Sequence, residues 1–118
     1  IYTKELENLP ILLPANIKES FSSLHLYVIR LQLEKITLSH KEVFTLLREN
    51  GLGVNLHYIP VHIQPFYKHM GFKVGDFPES EKYYNEAISI PLFHGMSTSQ
   101  QIDVINILKK VLLECLKK

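Results

Sequence analysis

Residues 54–67 hold the side chains of this sequence that are best suited to chemistry. The segment contains two histidines, two tyrosines, an asparagine and a glutamine among aliphatic residues, a phenylalanine and two prolines. Histidine and tyrosine each combine a flat apolar ring with a hydrogen-bonding tip, which suits recognition of a polar ligand. Because Pro60 and Pro65 restrict the backbone, the rings would lose little further freedom on binding. The segment is therefore predicted to form a wall of a ligand-binding site.

Two other interpretations of this segment stay open on the residue types alone. In one, Tyr58 and Tyr67 are core aromatics and His57 is a half-buried histidine with a satisfied hydrogen bond. Four polar-tipped rings in one short stretch would then need several buried partners. In the other, His57 and His62 are metal ligands of a hydrolase, with a carboxylate after a loop as third ligand. The carboxylates available for that role are Asp76 and Glu79.

No catalytic residue is assigned from motifs. The sequence lacks a Gly-rich phosphate loop, a G-x-S-x-G elbow, an H-E-x-x-H helix and a C-x-x-C pair. Cys115 is the one cysteine, and its place on an apolar helical stripe indicates a small buried hydrophobe. Of the other histidines, His40 and His69 are predicted to be solvated.

Composition limits the classes of partner. The 118 residues suit one domain, and a net charge of +1 argues against a nucleic-acid or polybasic membrane surface. No apolar run approaches the length of a membrane span, and the first residues do not resemble a signal peptide. The chain begins without Met inside a helical pattern, which suggests a piece of a longer protein.

Hydrophobic periodicity predicts the elements that would position these side chains. Predicted strands are 11–14, 24–33, 53–59 and 87–91. Two short helices are predicted, over residues 1–9 and 65–70. A third is predicted to begin at a capping box formed by Ser39 and Glu42 and to end at Gly51. Two more are predicted to begin at Asp76, as N-cap, and at a capping box formed by Thr98 and Gln101. The last helix carries an apolar stripe of Ile102, Ile105, Leu108, Leu112 and Leu116. The prediction is a single α+β domain over residues 1–118, with a small, mostly antiparallel sheet and helices packed on one face.

Three blocks of sequence resemble a known family. They are 55–67, 71–81 (Gly-Phe-Lys-Val-Gly-Asp-Phe-Pro-Glu-Ser-Glu) and 87–93 (Ala-Ile-Ser-Ile-Pro-Leu-Phe), followed by the helix over 98–111. In this order they resemble the C-terminal part of the DegT/DnrJ/EryC1/StrS sugar aminotransferases. Within that family the sequence looks most similar to the pseudaminic-acid branch. Its members aminate carbon 4 of a UDP-linked 4-keto-6-deoxy-N-acetylhexosamine.

The resemblance implies a cytoplasmic, homodimeric enzyme of fold type I that serves surface polysaccharide or glycan biosynthesis. A large N-terminal domain would hold pyridoxal 5'-phosphate on a lysine, and a small C-terminal domain would close over the site. An amino donor, expected to be glutamate, and a nucleotide sugar would be the substrates. No lysine here has the sequence context expected of the cofactor lysine. The chain alone is therefore expected to bind no cofactor and to be inactive.

Only a few site residues follow from the resemblance. His57 and Tyr58 match the family's His-Tyr pair at the small-domain edge of the substrate cleft, and the resemblance implies that they contact the sugar nucleotide. The further substrate-binding residues that it implies are His62, Gln64 and Tyr67. A free-standing, non-catalytic binding or interaction module would explain the balanced charge and the missing catalytic motifs equally well.

Overall fold

The structure is a computed structural model, and it describes residues 1–15, 17–23 and 25–117. The strands are β1 (Ile11–Leu12), β2 (Tyr27–Leu31) and β3 (Ala87–Ile90). The helices are α1 (Tyr2–Leu6), α2 (His40–Glu49), α3 (Pro65–His69), α4 (Pro78–Glu86) and α5 (Thr98–Glu114). The strands form one antiparallel sheet in the order β1-β2-β3, which confirms the predicted α+β class.

Strand β2 is central, and its alternating side chains define the buried face of the sheet. Tyr27, Ile29 and Leu31 are buried, as a period of two predicts, and the side chains between them are half-buried. β1 pairs along one edge of β2 and β3 along the other. The register places Ile11 opposite Leu31 and Tyr27 opposite Ile90.

The central strand is shorter than the predicted range 24–33. His25 is exposed, and Leu33 opens a 3-10 turn instead of extending the strand. β2 ends before Gln32 because the backbone of Gln32 leaves the extended region, although its amide still donates to the Pro10 carbonyl at 2.9 Å. Leu24, the predicted first residue of this strand, lies outside the described residues.

The N-terminal segment and α3 form where they were predicted. Tyr2, Leu6 and Leu9 are all buried, and β1 is an edge strand. Helix α3 is followed by Gly71, whose φ of +100° lies in the left-handed region that favours glycine. These short elements therefore follow local sequence signals.

Helix α5 supplies much of the core, but its buried face differs from the predicted stripe. Ile102 and Leu116 are exposed. Because α5 packs against both α1 and α2, the buried face is wider and includes Val104 and Val111. Cys115 is buried as predicted, and this burial raises the pKa of its thiol. Among the helices of the described residues, none is long and apolar enough to cross a membrane.

The capping box of α2 is confirmed. The Ser39 hydroxyl accepts from the Glu42 amide, and Glu42 Oε2 accepts from the Ser39 amide at 2.8 Å. Gly51 then takes the left-handed conformation with φ of +85°. The prediction that His40 is solvated is wrong: it is half-buried, and its Nε2 lies 2.9 Å from the carbonyl oxygen of Ala87.

The capping box of α5 lies one residue before the predicted pair Thr98 and Gln101. Ser97 is the N-cap, and its hydroxyl accepts from the Gln100 amide at 3.1 Å. Both pairs consist of a hydroxyl residue followed three positions later by glutamine, so sequence alone does not separate them. Only Ser97 has the extended backbone, with ψ of 158°, that an N-cap needs.

The predicted Asp76 cap of α4 is also wrong. Phe77 occupies the N-cap position, and Pro78 is the first helical residue. The Asp76 carboxylate accepts instead from the backbone amide of Lys73 at 2.9 Å. Its side chain therefore closes the turn that precedes α4.

The predicted strand 53–59 does not form among the described residues. One antiparallel bridge, Asn55 to Ser89, takes its place. The Leu56 amide donates to the Asn55 side chain at 2.8 Å instead of to a neighbouring strand. A 3-10 turn, Val61–Ile63, follows Pro60. The segment thus leaves the sheet after one bridge, and the His57–Tyr58 peptide bond within it is cis.

Helix α4 continues directly into β3. The last residue of α4, Glu86, is followed at once by Ala87 of β3. Arg30 of β2 ties this junction to the sheet through an ion pair of 2.7 Å with Glu86. The guanidinium also lies 5.8 Å from the ring centroid of Tyr83. Arg30 therefore links the C-terminal part of α4 to the central strand.

The free energy of unfolding of the variant Tyr2→Phe is expected to fall less at alkaline pH than that of the parent chain. The Tyr2 hydroxyl donates to the Pro91 carbonyl at 2.8 Å, and burial, with a smaller effect of Tyr27, raises the Tyr2 pKa from 10.0 to about 12. The unfolded chain loses this proton first. The free energy of unfolding should therefore keep its full value below about pH 10 and fall as the pH rises to about 12. The lost hydrogen bond should cost about 1 kcal/mol at neutral pH. Urea unfolding at several pH values would measure both effects, and identical alkaline slopes would contradict the assignment.

Candidate functional site

Strand β3 holds the first of the predicted site residues, His57. The backbone amide of Ser89 donates to the Asn55 carbonyl at 2.8 Å, and the Asn55 amide donates to the Ser89 carbonyl at 3.0 Å. Two residues further on, His57 Nδ1 lies 2.8 Å from the Ser89 hydroxyl oxygen. His57 is half-buried, as the core interpretation of this residue predicted. One residue of β3 therefore fixes both the backbone and the imidazole.

Tyr58 is exposed to solvent. Its side chain is 74% exposed, and its ring meets the His57 ring edge to face, with 4.7 Å between centroids. Tyr67 is also exposed at the surface. The interpretation of Tyr58 and Tyr67 as core aromatics is therefore wrong. An exposed phenol beside a fixed imidazole can donate or accept hydrogen bonds with a polar ligand.

His62 is buried and is held by α4. It is 7% exposed, its Nε2 lies 2.8 Å from Glu81 Oε1, and its ring packs 4.8 Å from Phe77. Glu81 Oε1 also accepts from the Gly75 amide at 2.7 Å. The Gly75 hydrogen bond, and then that of His62, hold the pKa of the Glu81 carboxyl below its usual value. His62 thus joins the turn after Pro60 to the start of α4.

A groove of about 300 Å³ lies beside His62. It is lined by Val61, His62, Tyr67, Phe72, Phe77 and Ser80. The Phe72 ring lies between the other two aromatics, 6.3 Å from Tyr67 and 6.1 Å from Phe77. Because these three rings lie along it, we call this groove the aromatic groove. Phe72 and Phe77 were not predicted as site residues, although a ring at every fifth position from Tyr67 to Phe77 was a usable signal.

The structure separates the predicted site residues into two groups. His57 and Tyr58 lie beside β3, where His57 contacts Ser89, and neither residue lines the aromatic groove. His62 and Tyr67 line the groove. Gln64 belongs to neither group, because it is the half-buried N-cap of α3. The backbone carbonyl of Gln64 accepts from the Lys68 backbone amide at 3.0 Å, and the backbone amide of Gln64 donates to the Val61 carbonyl.

Residues 58–77 form an apolar surface around these groups. Nine large hydrophobic side chains are exposed in this stretch: Tyr58, Ile59, Val61, Phe66, Tyr67, Met70, Phe72, Val74 and Phe77. Among them, the rings of Phe66, Tyr67, Phe72 and Phe77 lie in successive contact at 5.3–6.3 Å between centroids. The polar pair His57 and Tyr58 lies at one end of this stretch.

The metal site predicted around His57 and His62 does not form among the described residues. Within the described parts of the chain, no three His, Cys, Asp or Glu side chains lie together as metal ligands. The histidines proposed as ligands, His57 and His62, bond to Ser89 and Glu81 instead. Lys41 and Lys117 line a surface concavity together with His40 and Tyr84. Lys109, which is half-buried, pairs with Glu5 at 2.9 Å.

Sequence comparison relates the chain to proteins about three times as long. The model of the DegT/DnrJ/EryC1/StrS aminotransferase family matches residues 1–109. An uncharacterised protein of Methanocaldococcus jannaschii is 35% identical over 116 residues, which is 97% of this chain and 30% of that protein. The spore coat polysaccharide biosynthesis protein SpsC of Bacillus subtilis is 38% identical over 89 residues, which is 74% of this chain and 23% of SpsC. The chain thus spans less than a third of these curated relatives.

Solved structures share the fold. The candidate sugar aminotransferase Spr1654 of Streptococcus pneumoniae, in its PMP form, superposes with a TM-score of 0.83 at 26% identity, over 96% of this chain and 28% of that one. PseC of Helicobacter pylori, an aminotransferase of pseudaminic-acid biosynthesis, gives 0.83 at 20% identity, over 96% of this chain and 30% of PseC. At that identity the likeness to PseC bears on the fold alone.

Proposed function

This chain belongs to the DegT/DnrJ/EryC1/StrS aminotransferase family, and on that premise we propose that it is the small, substrate-facing domain of a sugar-nucleotide aminotransferase. The observation that carries the proposal is the pair of His57, fixed on β3, and Tyr58, 74% exposed beside it. Two rings buried in the core would mainly stabilise the fold. An exposed ring whose neighbour is already fixed loses little conformational entropy when it binds a ligand, which favours affinity.

The exposed apolar side chains of residues 58–77 support a binding site that is completed by a second protein surface. A small domain that forms one wall of a cleft leaves the facing side chains exposed until the opposite wall covers them. Nine exposed hydrophobic side chains in this stretch fit such a wall. We propose that the remainder of a longer polypeptide supplies the opposite wall.

The finer features of the function are proposals of the same kind. The longer protein would transfer an amino group, with glutamate as donor, to a 4-keto-6-deoxy nucleotide sugar used in surface polysaccharide or glycan biosynthesis. We place the pseudaminic-acid precursor first among these sugars. The enzyme would be a cytoplasmic homodimer. Pyridoxal 5'-phosphate, when bound to the large domain, would serve as the electron sink. This chain would contribute binding and orientation of the sugar nucleotide, and alone it would be inactive.

Binding to the isolated chain tests the proposal. We expect UDP-N-acetylglucosamine to shift the backbone NMR signals of residues 57–59 and of the aromatic groove. Tyr58→Ala should weaken this binding about tenfold, because one exposed aromatic contact is worth on the order of 1–2 kcal/mol. Phe93→Ala is the matched control, since Phe93 is an exposed aromatic outside residues 58–77. Equal affinities of the Tyr58 variant and the parent chain would contradict the proposal.

The gene provides a second, independent test. Translation of the DNA upstream of residue 1 should reveal a large α/β domain with a lysine suited to pyridoxal phosphate. An upstream region without such a domain would favour the free-standing binding module. In the longer protein, borohydride reduction should label a lysine outside residues 1–118, and labelling of a lysine within them would contradict the division of roles.

A further inference from the structure

We propose that Ser89 is a positioning residue that holds His57 in its Nε2–H tautomer, so that the outer ring nitrogen donates a hydrogen bond to an oxygen of the bound ligand. Ser89 lies within β3, where all four residues are buried, and it is 5% exposed. Its hydroxyl is the one polar side-chain group in β3, and it lies 2.8 Å from His57 Nδ1. A buried hydroxyl within a strand has few ways to satisfy its hydrogen.

The direction of this hydrogen bond follows from counting donors and acceptors. Both backbone groups of Ser89 are already paired with Asn55. The hydroxyl has His57 Nδ1 as its side-chain partner within the described residues. If Nδ1 carried the hydrogen, the serine hydrogen would have no acceptor there. If Nδ1 is bare, the hydroxyl donates to it and every group is satisfied. The second arrangement places the imidazole hydrogen on Nε2.

Nε2 of His57 is the nitrogen that faces outward. Among the described residues, no buried side-chain nitrogen or oxygen lacks a hydrogen-bond partner. Nε2 has no partner within the described chain, so it must reach solvent. The exposed ring of Tyr58, 4.7 Å away between centroids, lies on the same part of the surface. A donor and a phenol are thereby presented together.

A fixed N–H donor selects for ligand oxygens. A phosphate, carbonyl or hydroxyl oxygen can accept from Nε2–H, whereas a ligand N–H at the same point would find no acceptor. On the ligand side this inference rests on the proposed function, since a nucleotide sugar is rich in such oxygens. On the protein side it rests only on the contacts of Ser89 and His57.

Two-bond ¹H–¹⁵N spectra of the histidine ring, recorded on the 118-residue chain at alkaline pH, test the tautomer directly. We expect His57 to show a protonated Nε2 and a bare Nδ1. In Ser89→Ala the ratio of Nε2–H to Nδ1–H should fall by roughly tenfold, the value of a typical buried hydrogen bond. Ser89→Thr keeps the hydroxyl and a strand-favouring side chain, so it should restore the parent ratio. If Ser89 acted only through packing, the tautomer ratio would not differ between Ser89→Ala and Ser89→Thr.

The outcomes distinguish the two proposals. Protonation of Nδ1 in the parent chain, or an unchanged ratio in Ser89→Ala, would overturn the role of Ser89 even if UDP-N-acetylglucosamine binds. Titration with UDP-N-acetylglucosamine should move the Nε2 resonance more than the Nδ1 resonance. A correct tautomer with no response to this probe would contradict the nucleotide-sugar function and leave the positioning role in place.

Discussion

Replacing Leu108 with alanine is expected to lower the free energy of unfolding by about 3–4 kcal/mol, as for other fully buried leucines. Leu108 is fully buried on α5, within the core cluster that joins the helices to the sheet. Alanine would leave a cavity that the surrounding side chains fill only in part. Because a domain of this size is stabilised by roughly 5–15 kcal/mol, the loss would be a large share of the total.

The matched control for this substitution is Leu113→Ala on the same helix. Leu113 is half-exposed, so the same change removes little buried surface and should alter stability by no more than about 0.5 kcal/mol. Leucine and alanine are both good helix formers, and helix propensity therefore contributes little to either variant. Urea unfolding measures the difference through the midpoint at unchanged slope. Similar midpoints for the two variants would show that α5 is packed differently.

His62→Ala is expected to open the region from Val61 to Phe77 without unfolding the sheet. The substitution removes the ring that packs on Phe77 and the hydrogen bond to Glu81 at 2.8 Å. Together these losses should cost on the order of 2–3 kcal/mol locally. The Gly75 amide, which donates to Glu81 at 2.7 Å, reports on this opening. Its hydrogen exchange should accelerate roughly 30-fold or more, while that of Ile88 in β3 stays close to the parent value.

His69→Ala is the control for this effect. His69 is exposed, and its Nδ1 bonds within its own helix to the Pro65 carbonyl at 2.7 Å. Its loss should leave exchange at Gly75 nearly unchanged. A double-mutant cycle with Glu81→Gln would isolate the coupling between His62 and Glu81. Additive effects of the two substitutions would show that the hydrogen bond does not stabilise this turn.

Features set by neighbouring residues were the ones that could be predicted from sequence. The capping box at Ser39 and Glu42, the left-handed Gly51 and the alternation in β2 all depend on contacts within a few positions or on a simple period. The three strands, the helices and the α+β class therefore followed from local patterns. The family resemblance of residues 55–67 is confirmed by the family match, which covers residues 1–109.

Features set by distant residues could not be predicted in this way. Whether residues 53–59 pair as a strand depends on Ser89, which bonds to Asn55 and leaves the next amide to the Asn55 side chain. The burial of His62 depends on Glu81, which sequence patterns did not pair with it. Tyr58 illustrates the same point: it occupies an alternate position with Val54 in the predicted strand 53–59, yet Val54 is buried and Tyr58 is exposed. Nothing in the spacing of these residues distinguishes a ring in the core from a ring at the surface.

The direct join between α4 and β3 limits how this part of the molecule can vary in length. Glu81 on α4 holds His62, and Ser89 on β3 holds His57, so both imidazoles are attached to one uninterrupted stretch of backbone. One residue inserted at the join would move the Ser89 side chain to the opposite face of the sheet, since successive strand residues alternate. The exposed residues 17–23 between β1 and β2 carry no such restriction. Side chains around the contact between His57 and Ser89 can therefore vary more readily than the number of residues from Glu81 to Ser89.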